Sequence, residues 1–238
     1  MLKIQNLTKI YGKSFTAVDN LTLRVAPGDI FGFIGHNGAG KTTTLRCVAG
    51  ILEYESGEIF INGIPLAEDP LACKRVMRYI PDNPDLYEHL KGIAYLNFLA
   101  DIYGLDAQTR TSRIAKYADA FEMTARLGDS IGAMSHGMKQ KMAVIGALIG
   151  APKLLLLDEP FVGLDPIAAH TLKQIMRDMT NNGAAILFST HILEVAEKLC
   201  NKVAIIQKGK LIVAGDMETV RGDVSLEELF LELSENRA

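Results

Sequence analysis

Asp29-Ile30-Phe31-Gly32-Phe33-Ile34-Gly35-His36-Asn37-Gly38-Ala39-Gly40-Lys41-Thr42 is the stretch on which the fold turns. Its first six residues are almost wholly apolar, the composition of a strand covered on both faces, as in the middle of a parallel sheet. The next eight fit G-x-x-x-x-G-K-[ST], and a helical pattern begins near Lys41. Glycines in such a loop let backbone N–H groups curl around phosphate oxygens with no Cβ in the way, and the helix N-terminus adds partial positive charge. Lys41 is then placed to reach the β and γ phosphates, and Thr42 to offer its hydroxyl to Mg²⁺. A glycine-rich tight turn with an incidental lysine is the plainer alternative, and the strand before and helix after weigh against it.

Two later runs, 153–157 and 184–188, share the continuous apolar character of 29–34, and helical patterns separate them. That is the pattern of a parallel sheet with crossover helices. Leu21, Leu23 and Val25 alternate instead, as do residues 58–61 ahead of the turn signal Asn62-Gly63, so an antiparallel β region with one solvated face is expected near the N-terminus. Residues 92–150 have apolar residues near helical spacing and no comparable strand, which makes them a helical insert. Residues 203–207 and 211–214 flank Lys208-Gly209-Lys210 as a hairpin, and Ser225 with Glu228 makes a capping box ahead of a final short helix. The expected class is therefore α/β: a P-loop NTPase core with a mainly parallel sheet, an N-terminal antiparallel β subdomain and a helical insert. The chain is expected to form one domain, with its core in 1–82 and 151–238 and a helical subdomain at about 83–150.

At 238 residues such a domain buries roughly 70% of the surface that its unfolded chain exposes. The sequence is 48% hydrophobic and 22% charged with 8 Pro, which excludes disorder, collagen-like repeats and small disulfide scaffolds. A net charge of -3 argues against a general nucleic-acid binder, which needs a basic surplus to displace counterions. Cys47, Cys73 and Cys200 form an odd set without CxxC spacing, which suits a reducing compartment. The N-terminus alternates apolar and polar residues and does not resemble a signal peptide. The longest apolar stretch, 142–151, is about half the ~20 residues of a spanning helix. A cytoplasmic protein that does not itself cross a membrane is expected.

Leu154-Leu155-Leu156-Leu157 ends in Asp158-Glu159, at the edge where open α/β sheets bind ligands. Successive strand residues point opposite ways, which would give the two acids different tasks: Asp158 holding Mg²⁺ directly or through water, and Glu159 taking a proton from an attacking water. A solvated strand end would carry acids as readily, and it is the phosphate loop that tips the reading.

Over nearly its whole length the sequence resembles the nucleotide-binding subunit of ABC transporters. Besides the loop and the acidic strand end, the segments that carry the likeness are Tyr11 after Thr8-Lys9-Ile10, Tyr79-Ile80-Pro81-Asp82, Met134-Ser135-His136-Gly137-Met138, Gly163-Leu164-Asp165 and Phe188-Ser189-Thr190-His191. The resemblance implies that Tyr11 stacks on adenine and that Gly35, Asn37, Gly38, Ala39, Gly40, Lys41, Thr42 and Thr43 surround the phosphates. It implies that Thr42, Asp82 and Asp158 serve the metal, that Glu159 and His191 are catalytic, and that Ser135 and Gly137 close on the ATP of a second subunit. ATP and Mg²⁺ are the cofactors so implied. The partners are a second ATPase subunit, identical or different, and membrane-spanning permease subunits that would hold the chain at the inner face of the membrane; no nucleic acid is implied.

Two departures from the family pattern stand out. His136 and Met138 replace the first Gly and terminal Gln of the signature LSGGQ, and Asp82 replaces a Gln, exchanging an amide that donates and accepts for an acceptor-only carboxylate. Ser135 can still cap the helix that follows. The segment 79–88 resembles the exporter-type branch, so ATP-driven export is the leading expectation; a soluble ATPase of cofactor assembly with the same core is the alternative. His36, His89 and His170 have no metal-ligand spacing, and Cys47 reads as a helical packing residue.

Overall fold

The computed structural model describes residues 1–12 and 14–235. In chain order the elements are β1 (Leu2–Tyr11), β2 (Phe15–Val25), β3 (Ile30–Ile34), α1 (Lys41–Val48), β4 (Ser56–Ile61), β5 (Ile64–Pro65), α2 (Pro70–Val76) and β6 (Met77–Ile80). They continue with α3 (Gly92–Ile102), α4 (Ala107–Ala120), α5 (His136–Leu148), β7 (Leu154–Asp158), α6 (Pro166–Asn181) and β8 (Ala185–Thr190). The last are α7 (Leu193–Leu199), β9 (Lys202–Gln207), β10 (Lys210–Asp216), α8 (Met217–Arg221) and α9 (Leu226–Glu235). The chain divides into two compact units, one of Met1–Tyr79, Lys153–Glu159 and Met176–Ala238, the other of Ile80–Pro152 and Pro160–Ile175.

The first unit contains two sheets. Six strands run in the order β10-β9-β3-β8-β7-β6, with β3 parallel to both β8 and β9, and β7 parallel to β8. Every residue of β3, β7 and β8 is buried, which is why these runs carry no polar alternation. The smaller sheet, β2-β1-β4-β5, is antiparallel. Leu2, Ile4, Leu7, Leu21, Leu23 and Val25 turn inward from it and share one core with Leu45 and Val48 of α1 and with Phe31, Phe33, Leu154 and Leu156 of the larger sheet. Both predicted turns are two-residue hairpin loops: Asn62-Gly63 has φ of 53° and 82°, and Lys208-Gly209 has 49° and 81°.

In the second unit α3, α4 and α5 pack on one another. Gly146 of α5 permits the closest approach, because a Cβ there would sit 2.6 Å from Leu99 Cδ1 and 3.2 Å from the Tyr95 ring. Leu96, Ile114, Ile145 and Leu148 are fully or almost fully buried, so the apolar face of 142–149 is core. Among the described residues no helix is long and apolar enough to cross a membrane.

Strand β6 and helix α2 are among the elements for which the sequence analysis has no expectation. Strand β6 is only four residues long and stands at the sheet edge, too short to establish a period. Helix α2 did carry a signal: Asp69 accepts from Ala72 N as N-cap and Pro70 opens the first turn, the usual chemistry of a helix start. The capping box before α9 forms as expected, with Ser225 Oγ accepting from Glu228 N at 3.1 Å and Glu228 Oε2 accepting from Ser225 N at 2.9 Å.

Leu156 lies in the shared core with no exposed surface. Leu156→Ala should lower the free energy of unfolding by about 3 kcal/mol, read as a fall in the urea midpoint.

Candidate functional site

Strand β3 ends at Ile34 and the glycine-rich loop carries the chain into α1, so the order β3-β8-β7 sets this loop beside the C-terminal ends of β8 and β7. Two of its glycines are required by space. A Cβ on Gly35 would lie 2.4 Å from the Ile206 carbonyl oxygen, and one on Gly40 would lie 2.4 Å from that of Ala17, with Gly40 also at φ 107°. The loop is thus wedged between backbone of β9 and β2, and α1 begins immediately after Gly40 with no side-chain cap on its first N–H groups. Such a helix start is suited to an anion.

Lys41 is buried, and its Nζ donates to Gly35 O at 2.6 Å and to His36 O at 3.3 Å, with Glu159 Oε1 at 3.6 Å. Desolvation pulls its ammonium below the ordinary lysine value, against the attraction of Glu159 and Asp158. Glu159 Oε1 also stands 3.0 Å from His191 Nδ1, while Glu159 Oε2 is buried with no hydrogen-bonding partner. Lys41, Glu159 and His191 therefore converge, with His191 half exposed and Glu159 largely covered.

The two acids separate for a different reason from the one expected. Strand β7 ends at Asp158, and Glu159 already has left, with φ 47° in the left-handed region that costs a non-glycine residue on the order of 1 kcal/mol. Ser189, paired with Asp158 in the β7–β8 register, holds both: its Oγ donates to Asp158 Oδ1 and accepts from Glu159 N at 3.1 Å. The sequence reading missed Ser189 in this role, because only strand register reveals that it faces Asp158.

Tyr11 ends β1 with 41% of its surface exposed, and Phe15, 60% exposed, stacks near it with centroids 6.5 Å apart. Lys9 Nζ stands 5.5 Å from the Tyr11 ring centroid. Thr42 and Thr43 are half-buried in the first turn of α1. Cys47 is buried and its thiol is pushed up to about 11 by burial, in keeping with a packing residue of α1. Among the described residues no group of three or more His, Cys, Asp and Glu side chains forms a metal cluster.

Asp82, Ser135 and Gly137 lie on the second unit. Asp82 is exposed in the loop after β6. Ser135 caps α5 as its residue type predicts, accepting from Met138 N at 3.3 Å. The atypical His136 has a structural place: its ring occupies the space where a Cβ on Gly163 would fall, 2.8 Å from Cδ2. Gly137 is equally confined, since its Cβ would lie 2.7 Å from Gly163 O. Lys141 Nζ bonds Asp165 at 2.7 Å, and Asp165 Oδ1 accepts from Ala168 N at 2.8 Å, tying α5 to the start of α6.

A parallel sheet, a glycine-rich loop opening a helix and a buried lysine against an acidic strand end define a nucleotide-binding α/β domain of the P-loop class. The profile of the family described as ABC transporter matches residues 18–162. The ABC-type transporter ATP-binding protein EcsA of Bacillus subtilis is 36% identical over 100% of this chain and 98% of its own. Nod factor export ATP-binding protein I of Cupriavidus metallidurans is 34% identical over 90% of this chain and 71% of its own. A solved ATP-binding subunit of an ABC transporter superposes with a TM-score of 0.94 at 36% identity, over 98% of this chain and 99% of its own. The chain belongs to the ABC transporter family, in the class of its ATP-binding subunits.

The Lys141 bond, and after it the Ala168 N–H, hold the Asp165 carboxyl below its ordinary value of 3.8. The stabilisation is present above pH 3.8 and is lost as pH falls through the lowered value. Asp165→Asn should flatten the acid limb of stability against pH below about pH 4, measured by thermal melts across that range.

Proposed function

We propose that the chain hydrolyses MgATP as one of a head-to-tail pair and so drives export of a substrate through separate membrane-spanning subunits. The observation that carries this reading is the convergence of Lys41, Glu159 and His191 at the mouth of the glycine-rich loop. Nucleotide phosphates offer Lys41 charge-assisted partners in place of the two loop carbonyls it now bonds. Glu159, with one carboxylate oxygen unpartnered, is the base for the attacking water, and His191 on its other oxygen orients it and faces the γ phosphate. Tyr11, an exposed ring at a strand end, is the adenine platform.

The donor set suits magnesium, which prefers a few hard oxygen ligands: Thr42 and Asp158 would hold it, and the assignment of Asp82 rests on the family resemblance alone. When bound, the ion would supply positive charge to offset that of the phosphates. Each chain carries one phosphate loop and one signature. Ser135 and Gly137, at the N-terminus of α5, would therefore serve the nucleotide of a second subunit, and loss of the γ phosphate would release that contact.

On the second unit Tyr87 and Phe98 meet edge to face at 5.8 Å, both exposed, with Tyr87 also against His89. This aromatic patch, with the loop from Asp82 to Glu88, is the docking surface for the membrane subunits, which would keep the chain peripheral at the inner face of the membrane. The relatives named as transporter and export ATP-binding proteins favour transport over a role in cofactor assembly.

Glu159→Gln should retain MgATP binding, lose at least about a hundredfold in turnover and accumulate a nucleotide-bound dimer on size-exclusion chromatography. Turnover at the parental rate would remove Glu159 from its role. His191→Ala should cost on the order of a hundredfold in kcat in a phosphate-release assay, the loss typical of one preorganised donor.

A further inference from the structure

His36 occupies the second position of the phosphate loop and is exposed to solvent. Its backbone carbonyl is part of the machinery, accepting from Ala39 N at 3.1 Å and from Lys41 Nζ at 3.3 Å. The imidazole has a neighbour from the far end of the sequence: the ring of Phe230 on α9, at 4.8 Å between centroids and tilted by 59°. That geometry is a favourable tilted contact between two flat rings.

Helix α9 is a firm support for Phe230. Its capping box fixes the first turn, and Leu226 is fully buried beneath it. It also packs beside α7, which begins two residues after His191. One short helix thus leans on both the loop that carries Lys41 and the segment that follows His191.

We propose that Phe230 is a positioning residue for the phosphate loop, acting through His36 to hold the loop in the conformation that receives nucleotide. The inference rests on the nucleotide-binding role proposed above. By restraining His36, Phe230 fixes the carbonyl against which Ala39 N–H and Lys41 are aligned, so less ordering is left for the nucleotide to impose. Loss of the ring contact should therefore weaken nucleotide binding while leaving the chemical step, which depends on Glu159 and His191, near its parental rate.

The test is steady-state hydrolysis of MgATP by the full chain. Phe230→Ala should raise KM for ATP about fivefold with kcat within about twofold, the scale of one lost aromatic contact. Phe230→Tyr, which keeps the ring, should restore KM. His36→Ala should raise KM similarly, and the Phe230→Ala/His36→Ala pair should be no worse than the weaker-binding single variant, because both changes remove one contact. A merely structural role would lower the melting temperature without nucleotide and the active fraction, leaving KM unmoved. Unchanged KM in Phe230→Ala, or additive losses in the pair, overturns the proposal. Should Phe230→Ala fail to fold, Phe230→Leu replaces it with the same expected rise in KM and the same overturning result. A parental protein that binds no MgATP would instead overturn the functional reading beneath, and this inference with it.

Discussion

Lys41 carries a charge where water is largely excluded, and the neighbouring backbone is disposed around that fact. Burying an ammonium costs several kcal/mol unless acceptors replace the water it loses. Two loop carbonyls and the Glu159 carboxylate do so. For the carbonyls to turn toward Lys41, the loop must fold tightly against Ile206 and Ala17, which is where glycine becomes obligatory. For Glu159 to face the lysine, the chain must leave β7 in a left-handed conformation. The strain at Glu159 is offset by its backbone bond to Ser189 and by its side-chain partners, so the site is held in an arrangement that phosphate oxygens can enter by replacing existing acceptors.

The parallel sheet makes this possible through order, not through any single contact. Strand β8 lies between β3 and β7, with Ile34 opposite Thr190 and Asp158 opposite Ser189. Residues separated by more than a hundred positions therefore share one edge, and Ser189 ties the two acids in place. On the second unit a comparable economy is visible around α5. His136 and Gly137 press on Gly163, and Lys141 reaches Asp165, so the helix that starts at Ser135 and the turn before α6 are fixed to each other.

The glycine spacing, the buried strand ahead of it and the acidic strand end were readable in the sequence because each is a local pattern with a local cause. The same holds for the Asn62-Gly63 and Lys208-Gly209 turns, the Ser135 cap and the Ser225–Glu228 capping box. Strand β6 is not readable because four half-polar residues at an edge have no period, whereas α2 has a local signal in Asp69-Pro70. The divergence of Asp158 and Glu159 was expected from strand alternation and arises instead from a backbone reversal, which no residue type in Leu-Asp-Glu-Pro demands.

By itself the sequence determined the chemistry available: a lysine after glycines, two acids after an apolar strand, a histidine after another, and a serine where a helix begins. It determined these because propensity, capping and turn formation act over a few residues. Only the tertiary structure decided which of those groups meet: Lys41 with Glu159, Glu159 with His191, Ser189 with Asp158, and Phe230 with His36. Such pairings depend on strand order and on how a terminal helix packs, and those are set by the burial of the whole apolar core rather than by any stretch of chain that could be read alone.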